Sequence, residues 1–167
     1  MIKGEHKMKR ILLLLISVCC LAGFTICYAN IANEELSLGG ITLQSSTDYV
    51  RSVYGEPERI VKSNSRFTGP MQTYYYGTSF RLMVKDGKVT QLDSTGNNGI
   101  KTPSGISVGM TRNDLETIYG KPNRVNRDSA GYISDYYYGS DSNYYTGAKF
   151  NFNGSGRISA ISIGYFD

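Results

Sequence analysis

Apolar and polar residues alternate with a period of two in several short segments, and this pattern predicts β-strands. In Phe80–Val84 and Ala148–Phe152 every second residue is apolar. Six further segments complete two sets of four strands: Arg59–Lys62, Gln72–Tyr76 and Lys88–Asp93 in the first set, and Arg124–Arg127, Ile133–Tyr138 and Arg157–Ile163 in the second. Asp86-Gly87 in the first set and Asn153-Gly154-Ser155-Gly156 in the second are hairpin signals, and each set is predicted to form an antiparallel meander.

Two other segments have helical spacing instead. Leu115, Ile118 and Tyr119 lie at i, i+3 and i+4, Thr111 stands at the N-cap position, and Gly120 stands where a helix ends. The same signals occur earlier in the chain at Ser46, Val50, Val53, Tyr54 and Gly55. Helices of about two turns are marginal alone in water, so we expect each to pack on a sheet.

These features occur twice in the same order. Gly40-Ile41-Thr42-Leu43 recurs as Gly105-Ile106-Ser107-Val108, and Tyr54-Gly55-Glu56-Pro57 recurs as Tyr119-Gly120-Lys121-Pro122. A repeat at fixed spacing indicates one supersecondary unit that is used twice. We therefore predict an α+β fold of two tandem helix-plus-antiparallel-sheet units. The units comprise residues 30–94 and 105–167, and residues 95–104, rich in Gly, Asn, Thr and Ser, form a linker.

The amino terminus has the features of a signal peptide. Lys7, Lys9 and Arg10 precede an apolar run over 11–24, and Cys27-Tyr28-Ala29 supplies small residues for a peptidase. We expect cleavage after Ala29, so that residues 1–29 are removed and the mature chain is exported to the periplasm or cell envelope or to the extracellular space. The alternative is an uncleaved membrane anchor, because the segment from Ile11 to Ala29 approaches the ~20 residues that span a bilayer.

Composition excludes several kinds of chemistry in the mature chain. All three Cys residues and the single His lie within residues 1–29, and the protein has no Trp. Disulfides, Cys/His zinc sites and thiol or imidazole catalysis are therefore excluded. The leader also carries four of the 18 basic and one of the 14 acidic residues, which leaves about +1 on the rest. We expect no nucleic-acid partner.

Carboxylates alone could build an enzyme, as in glycoside hydrolysis. Here Asp and Glu follow helix caps, turns and polar faces, and none stands in an isolated apolar setting. Gly-rich stretches lack the residues of a phosphate loop, and no calcium-loop spacing is present. We therefore predict a protein that is not an enzyme, with no catalytic residues, no cofactor and no metal, and with membrane contact only through an uncleaved leader.

The succession of glycine, short helix, Tyr-Gly-x-Pro and aromatic strand resembles two related families. It is carried by the segment from Gly109-Met110-Thr111 to Pro122 and by Tyr136-Tyr137-Tyr138, and it covers most of residues 40–94 and 105–163. One family is BamE (SmpA/OmlA), the outer-membrane assembly lipoproteins. The other is the β-lactamase inhibitor protein family, which looks like two tandem copies of such a unit. The resemblance implies helices on two antiparallel sheets side by side, and non-enzymatic binding to other proteins at or beyond the cell envelope.

Tyrosines are the candidate binding residues. Period-two alternation places Tyr74, Tyr76, Tyr136 and Tyr138 together on one face, which is outward if Met71 and Ile133 face the core. Tyr supplies a large rigid contact area with a polar tip, and it is enriched in binding patches for that reason. Alternatively, these rings simply close the core or the seam between units. Tyr144 and Tyr145 lie in a Ser/Asn/Tyr/Gly loop whose composition is typical of recognition loops; the alternative is an ordinary solvated hairpin loop.

Together these observations predict an exported, non-catalytic protein-binding module that uses a Tyr-rich sheet face. Two alternatives stay open: a structural component of the envelope, and an inhibitor of a secreted hydrolase. The identity of the protein partner does not follow from the sequence.

Overall fold

A computed structural model describes residues 30–140 and 146–166. Its helices are α1 (Thr47–Tyr54) and α2 (Arg112–Tyr119), with one 3-10 turn at Asn33–Glu35. Its strands are β1 (Ser37–Leu38), β2 (Ile41–Thr42), β3 (Arg59–Ser65), β4 (Gly69–Tyr76), β5 (Phe80–Lys85), β6 (Lys88–Ser94), β7 (Arg124–Arg127), β8 (Ile133–Tyr138), β9 (Thr146–Phe152) and β10 (Ile158–Tyr165). The predicted signal peptide, residues 1–29, and the candidate residues Tyr144 and Tyr145 lie outside the described residues.

Both helices begin and end where the sequence predicts. The Ser46 hydroxyl accepts the backbone N–H of the third residue of α1 at 3.2 Å. Thr111 caps α2 in the same way. The backbone N–H of Thr111 in turn donates to Asp114 Oδ2 at 2.9 Å, which completes a capping box. Gly55 and Gly120 end the helices with φ of 77° and 76°, a left-handed conformation that favours glycine.

The eight long strands form one antiparallel sheet, and its order corrects the fold prediction. The strand order is β3-β4-β5-β6-β10-β9-β8-β7. Strand β6 pairs directly with β10, with Leu92 opposite Ile163. The predicted fold class of two tandem helix-plus-sheet units, each with its own sheet, is therefore wrong. The described part of the chain is mostly one large antiparallel sheet with two short helices, and β1 and β2 form a separate small hairpin.

A single hydrophobic core lies between the sheet and the helices. Val50 of α1 and Leu115 of α2 are both almost fully buried and belong to the same cluster. The cluster also contains the inward residues of the central strands, among them Leu82, Val84, Val89, Leu92, Phe150, Phe152, Ile161 and Ile163. Continuity of the core across the β6–β10 junction explains why the sheet does not divide, since a division would expose these side chains to water.

The segment 95–104 packs closely against α2. It contains no helix or strand, and Thr102 within it is 2% exposed. The Tyr119 hydroxyl donates to Thr102 Oγ1 at 2.7 Å, and Thr102 Oγ1 also accepts the N–H of Ile106 at 3.2 Å. Among residues 30–140 and 146–166, no helix has the length and apolar character needed to cross a membrane.

Candidate functional site

The large sheet has two faces, and the helices cover one of them. The side chains of Tyr76 and Tyr137 point to the covered face, where their rings contact Tyr54 of α1 and Tyr119 of α2. Successive side chains of a strand point to opposite faces, so Tyr75 and Tyr136 project to the other face. We call this other face the open face.

A polar and aromatic row crosses the whole open face. The register of each neighbouring pair of strands connects one residue to the next, from β3 at one edge to β7 at the other. In strand order the row is Arg59, Tyr75, Arg81, Asp93, Ser162, Lys149, Tyr136 and Arg124. We call it the cross-sheet row. Directly opposed residues in a sheet have neighbouring side chains on the same face, so the row forms one connected surface.

At each end of the row a guanidinium lies over a tyrosine ring. The Arg59 Cζ is 3.8 Å from the centroid of the Tyr75 ring, and the Arg124 Cζ is 4.2 Å from that of Tyr136. Lys149 Nζ lies 5.5 Å from the Tyr136 ring as well. Contacts of this kind contribute about 0.5–1 kcal/mol at exposed sites, and they hold long cationic side chains in a defined position.

An ion pair occupies the centre of the row. Arg81 Nε donates to Asp93 Oδ2 at 3.0 Å, and Gln91 Nε2 donates to both oxygens of the same carboxylate. Burial acts to lower the pKa of Arg81, but the hydrogen bond and charge of Asp93 outweigh it, so the pKa is raised. Asp93 is 3% exposed, whereas Arg81 is largely exposed. Arg81 is therefore presented to solvent and the carboxylate lies beneath it.

Two glycines flatten the surface beside the cross-sheet row. Gly147 and Gly164 oppose each other on β9 and β10. A Cβ on Gly164 would lie 3.3 Å from Cγ of Gln91, and one on Gly147 would lie 3.2 Å from Cδ1 of Tyr138. Both glycines are buried, because the side chains of Gln91 and Tyr138 lie close to them, so a larger residue at either position would be crowded.

The predicted Tyr residues divide between the two faces. Tyr136 and Tyr138 lie on the open face, but Tyr74 and Tyr76 lie on the covered face, so the prediction that all four share one outward face is wrong. Tyr74 is 4% exposed and accepts a hydrogen bond from Arg51 at 3.3 Å, while Tyr76 donates to the Gly55 carbonyl at 3.2 Å. A binding role for Tyr136 and Tyr138 stays a prediction.

The predicted tyrosines lie on different faces because the two Tyr triplets are shifted by one residue relative to each other. Tyr75 lies opposite Arg59, and Tyr136 lies opposite Arg124, so the second residue of one triplet corresponds to the first of the other. Tyr136 is only 7% exposed, because Arg124, Lys149 and the edge-on ring of Phe166 surround it. It therefore acts mainly as a platform for the two cations.

Sequence reasoning did not identify Tyr75, Arg81 and Lys149 as members of this surface. A signal for the last two was present. Arg81 alternates with Phe80 and Leu82, and Lys149 alternates with buried Ala148 and Phe150, so period two places both cations opposite the core. Within the described ranges no group of His, Cys, Asp and Glu is arranged to hold a metal ion.

Comparison with known proteins shows similarity at the level of fold. The sequence matches no protein-family model, and no curated protein matches it. Among solved structures, an extracellular protein containing a SCP domain from Bacillus anthracis has 12% identity and a TM-score of 0.51, over 74% of this chain and 44% of the other. A cysteine-rich secretory protein from Staphylococcus aureus has 11% identity and a TM-score of 0.51, over 80% of this chain and 46% of the other.

This chain spans less than half of the length of these two proteins. At 11–12% identity the similarity shows shared fold and nothing about residues or activity. Neither protein is described as a member of the BamE or β-lactamase inhibitor families, so that resemblance stays a prediction.

Proposed function

We propose that this chain is an exported, non-catalytic protein-binding module whose partner lies on the open face of the sheet. The cross-sheet row is the observation that carries the proposal. It places stacked Arg and Tyr side chains at both ends of a surface that crosses eight strands. Arg and Tyr are the residues enriched at the energetically dominant positions of protein interfaces.

The charge of the cross-sheet row favours an acidic partner surface. Four of its members are cations, and Asp93 is the one carboxylate among them. Because Asp93 is buried beneath Arg81, a partner meets the positive groups first. Complementary charge steers encounter and fixes register at interfaces, so acidic groups on the partner would increase both association rate and specificity.

Export is supported from two sides. The leader has the charge and apolar pattern of a signal peptide, and the two solved structures of similar fold are described as extracellular and secretory. The finer location, in the periplasm or envelope or outside the cell, forms part of the proposal. The intact mass of the protein from culture tests it, since cleavage after Ala29 would give a chain that starts at Asn30.

Capture of a partner from envelope and culture fractions tests the binding role. The Arg81→Glu/Lys149→Glu variant reverses two exposed charges on the open face. A matched control, Lys101→Glu/Arg127→Glu, reverses two charges away from it. We expect the wild type and the control to enrich the same protein, identified by mass spectrometry, and the open-face variant to bind it at least about tenfold more weakly.

Equal affinity of the open-face variant and the wild type for that protein would overturn the proposal. Circular dichroism should show the wild-type fold for the control, whose two side chains are exposed. Arg81→Glu also removes the ion-pair partner of the buried Asp93 and is expected to lower stability, so Lys149→Glu alone, which leaves that pair intact, must keep the wild-type fold and still bind more weakly.

A further inference from the structure

The two edges of the large sheet differ in length and exposure. Strand β3 forms one edge with seven residues, all of them exposed, and β7 forms the other edge with four residues. An edge strand presents a row of backbone N–H and C=O groups that another strand can pair with. Among the described residues no strand pairs with the outer side of β3.

Apolar side chains accompany this open edge. Ile60 is 42% exposed and Val61 is 38% exposed, and Phe67 in the turn after β3 is 94% exposed. β-branched residues pack well against cross-strand neighbours. A strand added outside β3 would therefore cover apolar surface that is now in water.

The edge is also uniformly cationic. Between residues 59 and 71 the chain has Arg59, Lys62 and Arg66 and no acidic residue. Lys on an edge strand discourages pairing with neutral or cationic strands. The same charge favours a strand that carries carboxylates, because oppositely charged cross-strand pairs are stabilising.

A groove adjoins β3 on the covered side of the sheet. Its volume is about 580 Å³, and its lining includes Lys62 and Asn64 of β3, Thr47 at the start of α1, and Val84. The equivalent space in the other half of the sheet is about 210 Å³. There the larger Arg112 and Phe152 occupy the positions of Thr47 and Val84. The open edge and the open groove thus occur together at β3.

We infer that β3 accepts an extended, acidic segment of a partner protein as an additional strand of the sheet. In recognition of this kind, main-chain hydrogen bonds supply affinity and pockets for alternate side chains supply specificity. Lys62 points to the covered face and Arg59 to the open face, so carboxylates on the covered side of the segment would meet Lys62 at the groove. This contact through Lys62 does not require the cross-sheet row.

A second copy of this chain fits the edge less well. Pairing of β3 with itself brings together two strands that have cations and no carboxylates. Antiparallel pairing centred on Lys62 would place the two ammonium groups directly opposite each other, which is destabilising. Charge complementarity therefore selects an acidic strand over self-association.

Titration with designed peptides tests the inference on the intact protein. The probe is a peptide of the length of β3 in which Glu alternates with Val. Its controls are the same peptide with Lys for Glu, and the same peptide with N-methylated alternate amides, which cannot complete the ladder. Amide chemical shifts and hydrogen exchange report where each peptide binds.

We expect slower exchange at alternate amides of β3 with the Glu peptide, and affinity at least about tenfold weaker for both control peptides. Lys62→Glu should weaken the Glu peptide by about tenfold or more, whereas Arg127→Glu, at the equivalent position of β7, should leave its affinity unchanged. Both positions are exposed, so both variants should fold.

Any of four results would overturn the inference. The first three are unchanged exchange of the β3 amides at saturating peptide, equal binding of the Glu and Lys peptides, and a concentration-dependent dimer that protects β3 without any peptide. The fourth is chemical-shift changes confined to the open face, which would leave the proposed function intact. Loss of capture by the open-face variant with normal peptide binding at β3 would show that the two surfaces act separately.

Discussion

The two helices lie on the same sheet, but the ion pairs at their ends have opposite polarity. In α1, Arg51 pairs with Glu56 just beyond the helix at 3.0 Å. At the equivalent positions of α2 the charges are exchanged, and Glu116 pairs with Lys121. The pair has the same place and the opposite polarity in the two halves.

The contact between each helix and the strand beneath it also differs between the two halves. Under α1, Arg51 donates to the neutral hydroxyl of Tyr74 at 3.3 Å. Under α2, Arg112 makes two hydrogen bonds of 2.6 and 2.8 Å to Asp135, whose side chain has no exposed area. Burial raises the pKa of Asp135, and the hydrogen bonds and charge of Arg112 oppose that rise.

Other features are shared by both halves. Tyr76 and Tyr137 each donate to the carbonyl of the glycine that ends the helix above them, at 3.2 and 3.0 Å. The comparison shows that the caps, the glycine stops and these tyrosines set the geometry, whereas the charges under each helix can differ. The contact under α2, which involves a buried charge, should therefore contribute far more to stability than the contact under α1.

The largest expected difference follows from removal of the two arginines. Arg112→Ala leaves the buried Asp135 without its cation, and such losses cost about 3–5 kcal/mol of the free energy of unfolding. Arg51→Ala removes partly exposed contacts and should cost about 1 kcal/mol or less. Urea denaturation of the two variants measures the difference.

The Arg112→Ala/Asp135→Asn variant is the control for this prediction. It removes both charges, so it should recover a large part of the loss, because a neutral amide is less costly to bury than an unpaired carboxylate. Equal destabilisation by Arg51→Ala and Arg112→Ala would show that burial of Asp135 does not distinguish the halves.

A smaller difference is expected at the helix caps. Ser46→Ala removes one side-chain acceptor from the start of α1 and should cost about 1 kcal/mol. Thr111→Ala removes the corresponding acceptor and breaks the hydroxyl bond to Asp114, and we expect about 1–2 kcal/mol. Thermal and urea unfolding of both variants test the order. A greater loss at Ser46 would contradict it.

Local signals in the sequence predicted the helices and strands well. The caps Ser46 and Thr111, the glycine stops and the alternation in Phe80–Val84 are short-range patterns, and the structure has each element at that place. The prediction of which helix residues are buried was less accurate, since Val53 and Ile118 are 47% and 44% exposed. A two-turn helix on a sheet buries only its innermost residues.

Long-range pairing was not predictable from these patterns. The contact between β6 and β10 joins residues far apart in sequence, and both strands carry apolar residues that suit a separate sheet equally well. The facing of Tyr74 and Tyr76 failed for another reason. In a run of three identical residues, apolar and polar positions do not alternate, so the pattern does not show which residues face the core. The cross-sheet row depends on both points and so appears only in the structure.

The smallest expected difference between the halves is in how their contributions to stability change at low pH. Hydrogen bonds from the side chain and backbone of Thr111 lower the pKa of Asp114, whereas the third residue of α1 is Tyr49, which has no carboxylate. A carboxyl with a lowered folded pKa adds stability above its unfolded pKa, near 3.8, and loses it as pH falls through the folded value. Asp114→Asn should therefore destabilise the protein at neutral pH, and its difference from the wild type should shrink below about pH 4. Urea unfolding from neutral pH to about pH 3 measures this, with Tyr49→Phe as the control that should show no such dependence; a difference that stays constant with pH would assign the effect to shape rather than charge.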